Sequence, residues 1–430
     1  MKKGLIMMML CLIFVFVSAC TTNTNSENAS SGNTKDAEGK TKVVFWNLFG
    51  GGDGAVMTDV VKQFNEAQQD IEVEAITQEW GEFYTKLTTS VLGNKAPDLA
   101  ISHATNVLLL KTVGVIQPLD DEARHVGIDF SKFTGESPEI TTIDGDHYAV
   151  PMDHHAMLLF WNKSLAEQFG VLDDNGQPNF SNYDEFVQIM LKIKEQGGDI
   201  APLDVRGKGT HPFRFWYSIY KQMGGEDLYD NTTNKATIDP EIGVKSLKAV
   251  YDLFQTHKVI PEGIDKNNAE IFINGQAVFF ISGTWDVNNL YKGMDDNVSV
   301  MKFPQLFENP GIYADSHTFV LPVNPNRDDK TTEAAMTFVK WVTDNGWKWS
   351  EAGHLPTLEQ VMQSEELREQ PLREDYKDVV NDMVFLKPNP KVWFASYNQL
   401  MDIFDGVWIN KFSPEEAVKK IEQVINTALE

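Results

Sequence analysis

Ring residues recur beside short polar ones where the expected elements end. Trp46 closes an apolar run, Trp161 follows Met157–Phe160, and His211-Pro212-Phe213-Arg214-Phe215-Trp216-Tyr217 crowds several rings into one helix start. Gly283-Thr284-Trp285-Asp286 directly follows a strand-like run, and Trp393-Phe394-Ala395-Ser396-Tyr397-Asn398 repeats the pattern late in the chain. A ring face offers flat apolar surface to C–H groups, while Asp, Asn and His take hydroxyls. That combination suits a sugar. Any single Trp serves equally well as core filling, as expected of Trp341 beside Val339 and Val342. Trp285, set between Gly283 and Asp286, is the stronger candidate for a cleft.

Covalent chemistry finds no motif. The chain lacks a G-x-S-x-G elbow, an H-E-x-x-H helix and a G-x-x-x-x-G-K-[ST] loop. Gly50-Gly51-Gly52-Asp53-Gly54 has neither the Lys of a phosphate loop nor the dinucleotide spacing, so it reads as a flexible loop or one approaching a ligand by its backbone. His154-His155 is the one adjacent His pair; neighbours in an extended segment face opposite ways, so no metal site is expected there. Asp173-Asp174-Asn175-Gly176 opens like a calcium loop but has no Glu at the twelfth position, and reads as a turn. A glycosidase pair among 62 acidic residues is not singled out by any spacing. The expectation is a binding protein with no catalytic residue, metal or cofactor.

Charge and length narrow the class. The chain has 430 residues, 42% hydrophobic, with 37 Lys+Arg against 62 Asp+Glu and a net charge of −25. That is length for about two or three domains with sizeable cores. Nothing in so acidic a chain would neutralise phosphates, so a nucleic-acid partner is excluded. The charge instead serves solubility.

The N-terminus is an export signal. Lys2 and Lys3 precede Leu5–Val17, 13 apolar residues, too short to span a bilayer as a helix. Val17-Ser18-Ala19-Cys20 resembles a bacterial lipobox, which implies cleavage after residue 19 and a diacylglycerol on Cys20. Residues 20–40 then form a flexible tether, rich in Ser, Thr, Asn and Gly. Loss of residues 1–19 removes two Lys and no acid, leaving 35 basic residues, 62 acidic ones and a charge of −27. Cys11 leaves with the signal, so the mature chain has no disulfide of its own despite an oxidising destination. Two acyl chains anchor stably where one does not. The expected place is the outer face of the cytoplasmic membrane.

The positioning elements alternate strand and helix. Lys42–Trp46 reads as a buried strand, and Val60, Val61 and Phe64 mark a helix. A strand at Ile71–Ile76, a helix through Phe83, Leu87 and Val91, and a strand at Leu99–Ile101 follow. This points to βαβ units on a mostly parallel sheet. Further on, Ser181 with Asp184 signals a helix start, and Asp239-Pro240 caps another helix. Ser413-Pro414-Glu415-Glu416 caps a last helix with an inner face of Ala417, Ile421, Val424 and Ala428.

In order and spacing the chain resembles the extracellular solute-binding lipoproteins of carbohydrate ABC importers, the group that contains maltose-binding protein. The resemblance is carried by VVFWNLFGGGDG (43–54), FNEAQQDIEV (64–73), APDLAISH (96–103), YAVPMDHHAMLLFWNKSL (148–165), FINGQAVFFISGTWD (272–286), HTFVLPVNP (317–325), GHLPTL (353–358) and SPEEAVKKIEQVINTALE (413–430). It implies a periplasmic-binding-protein-like α/β fold, with two α/β lobes, a hinge and a ligand cleft between them. By position, residues 41–152 and 312–352 would form the N-terminal lobe, and 153–311 and 353–430 the C-terminal lobe. Carried over residue by residue, the cleft positions are Trp46 and Asp53, His103 and Thr105, Asp153 and His154, Phe213 and Trp216, Trp285, and Trp393 and Tyr397. HPFRFW departs from the maltodextrin-binding spelling, which points to another oligosaccharide within the wider expectation of a mono- or oligosaccharide. The implied partners are membrane permease subunits and a cytoplasmic ATPase, with the binding protein a monomer. The alternatives are the same fold holding a non-sugar solute, or a lipid-anchored carbohydrate-active enzyme.

Overall fold

A computed structural model describes residues 39–205, 210–261 and 269–430. The expected signal peptide, the expected tether up to residue 38 and the expected lipidation site Cys20 lie outside the described residues. Among those described, no helix is long and apolar enough to cross a membrane.

Two mixed sheets each carry their own hydrophobic core. Thr41–Asn47 alternates buried and half-buried side chains and pairs in parallel with Ile71–Thr77 and Leu99–His103. His317–Pro322 continues this first sheet antiparallel, with Ile116–Gln117 and Val150–Pro151 paired to it. Helix Gly51–Ala67 buries Val56, Met57, Val60, Val61 and Phe64 against the sheet's core, which includes Phe45, Phe319 and Phe338. In the second sheet, Asp153–Asn162 is buried at all ten positions. Such a strand is flanked on both sides and covered on both faces. Its neighbours are Ala277–Gly283, Val298–Lys302, Ile312–Asp315 and Leu355–Pro356, with Ala201–Val205 and Met383–Phe385 further out. These are the two α/β lobes.

Among the described residues the chain passes between the sheets three times: at Met152, at Ser316, and at Gly353-His354. The second crossing differs from the sequence reading. Ile312–Asp315, assigned there to the N-terminal lobe, pairs with Asp153–Asn162 and packs Ile312, Tyr313 and Ala314 into the second core. The segment 312–322 therefore serves both sheets, and the polar Asp315-Ser316-His317 between its two apolar stretches lies where it leaves one for the other.

Local signals fared unevenly. Asp239 caps Pro240–Tyr251 by accepting from the N–H of Glu241 and Ile242, and Ser413 with Glu416 closes a capping box on Pro414–Leu429. At Tyr183–Gln196 the cap is Asn182, while Ser181 bonds the Glu185 carboxylate. The Gly-rich segment is the first turn of helix Gly51–Ala67, not a loop.

Candidate functional site

A cavity of about 1010 Å³ opens where strands of both sheets end. The first lobe contributes Gly50, Gly51, Gly52 and Asp53 from the start of its first helix. Thr77, the last residue of the strand Ile71–Thr77, and Gln78, Glu79 and Trp80 after it join His103 at the end of Leu99–His103. From the second lobe come Thr210, His211 and Arg214 on helix Thr210–Gln222, with Trp285, Asp286 and Asn289 beyond Ala277–Gly283. His155, His317 and His354, beside the three crossings, complete the wall. Ligands of open α/β sheets bind in such crevices, outside strand ends.

Glycine at positions 50–52 has a local consequence. Gly50 caps the first helix without a side-chain bond, and Gly51 has φ +53°. Side chains are thus absent where the helix N-terminus meets the cavity, and its first N–H groups are available to a polar ligand. At Gly54 an added Cβ would lie 2.8 Å from the Phe49 carbonyl, so a larger residue would push this turn apart.

Both sides of the cavity carry a tryptophan. Trp80 is 47% exposed, an unusual state for so large an apolar side chain, and its ring stands 6.4 Å from that of His103. Trp285 is half-buried; the Arg214 guanidinium lies 4.7 Å from its ring centroid and the His211 ring 5.6 Å away. Beside it Asp286 accepts a hydrogen bond from the Ser282 hydroxyl. Rings, carboxylates, an amide and a guanidinium therefore share one polar-edged space.

Below the cavity, Asp153 is fully buried and accepts four hydrogen bonds. Its Oδ1 takes the His317 N–H at 2.9 Å and the His155 Nδ1–H at 3.1 Å. Its Oδ2 takes the His317 Nδ1–H at 2.7 Å and the Trp349 Nε1–H at 2.6 Å. Burial alone would raise the Asp153 carboxyl, but the charges of His317 and His354 and the bonds from His155 and His317 hold it well below the usual range. Burial lowers His155 to about 3, helped by His317, so its ring is neutral at neutral pH. His103 is likewise pushed well down, by burial and then by His317 and His155. His354 behaves oppositely. Burial would lower it, but Asp153 and Asp53 outweigh that and raise it, its Nε2 lying 3.3 Å from Asp53 Oδ2.

The structure places the sequence-derived site residues unevenly. Asp53, His103 and Trp285 line the cavity, and Asp153 lies beneath it, bonded to two of its lining histidines. Thr105 is buried and bonds across the lobes, its Oγ1 donating to Asp315 Oδ2 at 2.6 Å. Tyr397 is half-buried on the second core and hydrogen-bonds Thr210, a lining residue. The Trp393 side chain lies outside the described part of the structure. Four positions belong elsewhere. Trp46 is half-buried on the first core, on the same strand face as Lys42 and Val44. His154 turns away from His155, toward Thr134 Oγ1 at 3.2 Å, under Gly135. Phe213 and Trp216 are fully buried among Tyr217, Tyr220 and Phe404, with Trp216 Nε1 donating to Ser246 Oγ.

Sequence reasoning passed over Trp80, His317 and His354. Trp80 carried the signal used for the others, a ring beside Gln78 and Glu79 just past a strand. The histidines carried none, being joined only by folding.

The family model for bacterial extracellular solute-binding proteins matches residues 59–375. An arabinooligosaccharide-binding protein of Halalkalibacterium halodurans is 25% identical over 278 residues, 63% of this chain and 55% of that protein, so the match spans little more than half of that relative. A maltotriose-binding protein of Pyrococcus abyssi is 20% identical over 374 residues, 84% of this chain and 76% of its own. The GacH receptor of Streptomyces glaucescens, crystallised unliganded and with acarbose, shares the fold: its TM-score is 0.77 at 22% identity, over 90% of this chain and 98% of that one. With a family match that runs through both lobes and all the lining segments but the first helix's start, the chain belongs to the bacterial extracellular solute-binding protein family.

Proposed function

We propose that this chain is the substrate-binding lipoprotein of an ABC importer, capturing a mono- or oligosaccharide outside the cytoplasmic membrane. The observation that carries the reading is the cavity between two lobes, with Trp80 on one side and Trp285 on the other. A pyranose is flat on its C–H faces and polar around its rim. Two rings match the faces, and Asp53, Glu79, Asp286, Asn289 and Arg214 match the rim. The oligosaccharide-binding relatives support the same class of ligand.

A ligand touched by both lobes at once favours the conformation in which both contacts are made, so closure about the three crossings follows from differential binding. The closed form is what the permease reads, and a cytoplasmic ATPase drives release. The lipobox at Cys20 tethers the monomer to the outer face of the membrane through residues 20–40. No bond in the sugar is broken, in keeping with the want of a nucleophile motif in the sequence and with relatives that are binding proteins.

The test is a thermal-shift and calorimetric screen of residues 21–430 against mono- and oligosaccharides, followed by product analysis. A sugar at about 100 times its Kd stabilises by about 2.7 kcal/mol. That is a Tm rise of roughly 5–10 °C for lobes of this size. One responsive sugar series recovered intact supports capture. A flat response to sugars, or hydrolysed sugar, overturns it.

A further inference from the structure

Three imidazoles distant in sequence meet beside the three crossings. His155 is the third residue of Asp153–Asn162, His317 opens the strand His317–Pro322, and His354 immediately precedes Leu355–Pro356. Their ring centroids are 4.4 Å apart for His155 and His317, 5.3 Å for His317 and His354, and 5.7 Å for His155 and His354. Imidazoles on one tetrahedral ion, with metal–nitrogen bonds of about 2.0–2.1 Å, place their centroids roughly 5 Å apart. Ligand atoms of these three residues and Asp153 all lie within 4.8 Å of one another, and all four residues are buried.

The hydrogen bonds fix which nitrogen is offered. A carboxylate only accepts, so the bonds from Asp153 require the proton of His155 and of His317 to sit on Nδ1. In the neutral ring Nε2 then keeps its lone pair. Among the described residues, Nε2 of His155 and of His317 has no protein partner, although both side chains line the cavity. Buried polar side-chain atoms are as a rule hydrogen-bonded, so two Nε2 atoms without a protein partner at a cavity wall can take a ligand from it. His354 is steered too, with Nδ1 3.0 Å from Thr284 Oγ1 and Nε2 turned to Asp53. The other Asp53 oxygen, Oδ1, is buried without a partner.

We propose that His155, His317 and His354 bind a divalent transition-metal ion through Nε2, with Asp53 at a fourth position facing the cavity. Asp153 is the outer carboxylate: both its oxygens are taken by hydrogen bonds, and an acid behind a ligating imidazole fixes its tautomer and orientation. Imidazole-dominated sets select zinc, cobalt, nickel or copper over calcium and magnesium. The ion joins the segments on which the lobes turn and presents a coordination position to whatever fills the cavity. The assay reads the metal itself, so failure of the saccharide reading leaves this proposal standing, and the reverse.

The experiment uses residues 21–430, stripped with chelator and titrated with Co²⁺, then with Zn²⁺ in competition. The expected result is ligand-field absorption saturating at a single ion per chain with micromolar or tighter affinity, abolished by Zn²⁺. His317→Gln and His354→Gln each weaken binding about 100-fold, Asp153→Asn weakens it about 10–100-fold, and Asp53→Asn shifts the bands. His125→Gln, at an exposed position, changes nothing. Circular dichroism without metal shows which variants fold; should His317→Gln fail, His354→Gln carries the comparison. Wild-type protein without Co²⁺ bands, or bands that persist unchanged in folded His317→Gln or His354→Gln, overturns the proposal.

Discussion

The Asp153 carboxylate accepts the backbone N–H of His317 at 2.9 Å and its ring Nδ1–H at 2.7 Å, across 164 residues of sequence. Asp153 opens the strand after the first crossing and His317 opens the strand after the second. Two chain segments that must move together when the lobes turn are thus fastened at their starting residues. Trp349 and His155 donate to the same carboxylate, so one acid holds parts of both lobes.

Removing that acid leaves several buried donors without an acceptor. Asp153→Ala is expected to cost about 3–5 kcal/mol, the range for breaking a buried charged pair from one side. Urea unfolding of the purified chain measures it. A loss below about 1 kcal/mol would mean the network rearranges around the gap.

Rings on the cavity and rings in the core respond differently. Trp80→Ala removes a side chain that is 47% exposed, and is expected to leave stability nearly unchanged while weakening binding of the proposed saccharide about 10-fold, or about 1.4 kcal/mol. Trp216→Ala empties a fully buried site stacked on Tyr220 and packed against the tilted ring of Phe404, and costs about 3–5 kcal/mol. Calorimetry and thermal melts on the two variants should separate cleanly; a destabilised Trp80→Ala with full affinity contradicts the assignment of its ring to the cavity.

That contrast also shows how far the sequence could be read. Contiguous signals survived: the strand at Thr41–Asn47, the Asp239-Pro240 cap and the Ser413 capping box are local arrangements of neighbouring residues. Trp285 was legible because Gly283 and Asp286 flank it at a strand end. Phe213 and Trp216 misled because a run of rings on a helix looks the same whether one face or nearly the whole helix is buried, and Thr210–Gln222 buries almost all of it. The cluster of His155, His317 and His354 was illegible, since its members come from three crossings that only the fold brings together.

The pair of Asp120 and His147 gives a pH signature. Burial would raise the Asp120 carboxyl, but bonds from the His147 ring at 2.7 Å and the His147 N–H at 2.9 Å prevail and hold it below its ordinary value. The unfolded carboxyl takes up its proton near about pH 3.9, whereas the folded one resists until lower pH. Asp120 thus stabilises the fold above its unfolded value, and that contribution is lost as pH falls through the folded one. The stability gap between wild type and Asp120→Asn should therefore be widest near neutral pH and close as pH falls through the carboxylate range. A gap that stays constant in urea titrations down that range rules this coupling out.

Gly353 stands at the third crossing, just before His354, with φ +117°, a backbone state that other residues rarely adopt. A Cβ there would lie 2.0 Å from the Thr284 carbonyl oxygen, closer than any contact allows, and 3.0 Å from Val287 Cβ. The obstruction is backbone, which no rotamer change relieves. It also lies in the turn that leads to Trp285 and supplies the Thr284 hydroxyl facing His354 Nδ1. Gly353→Ala is therefore expected to lose about 3 kcal/mol or more, from strain and clash together, and to displace Trp285 from the cavity wall. Gly145→Ala serves as the comparison: its φ is +98° but nothing lies within 4 Å of an added Cβ, so it reports strain alone. Thermal unfolding of both variants, with tryptophan fluorescence as the readout, separates the two contributions. Equal losses in the two would show that the close approach to Thr284 is not what requires glycine at 353.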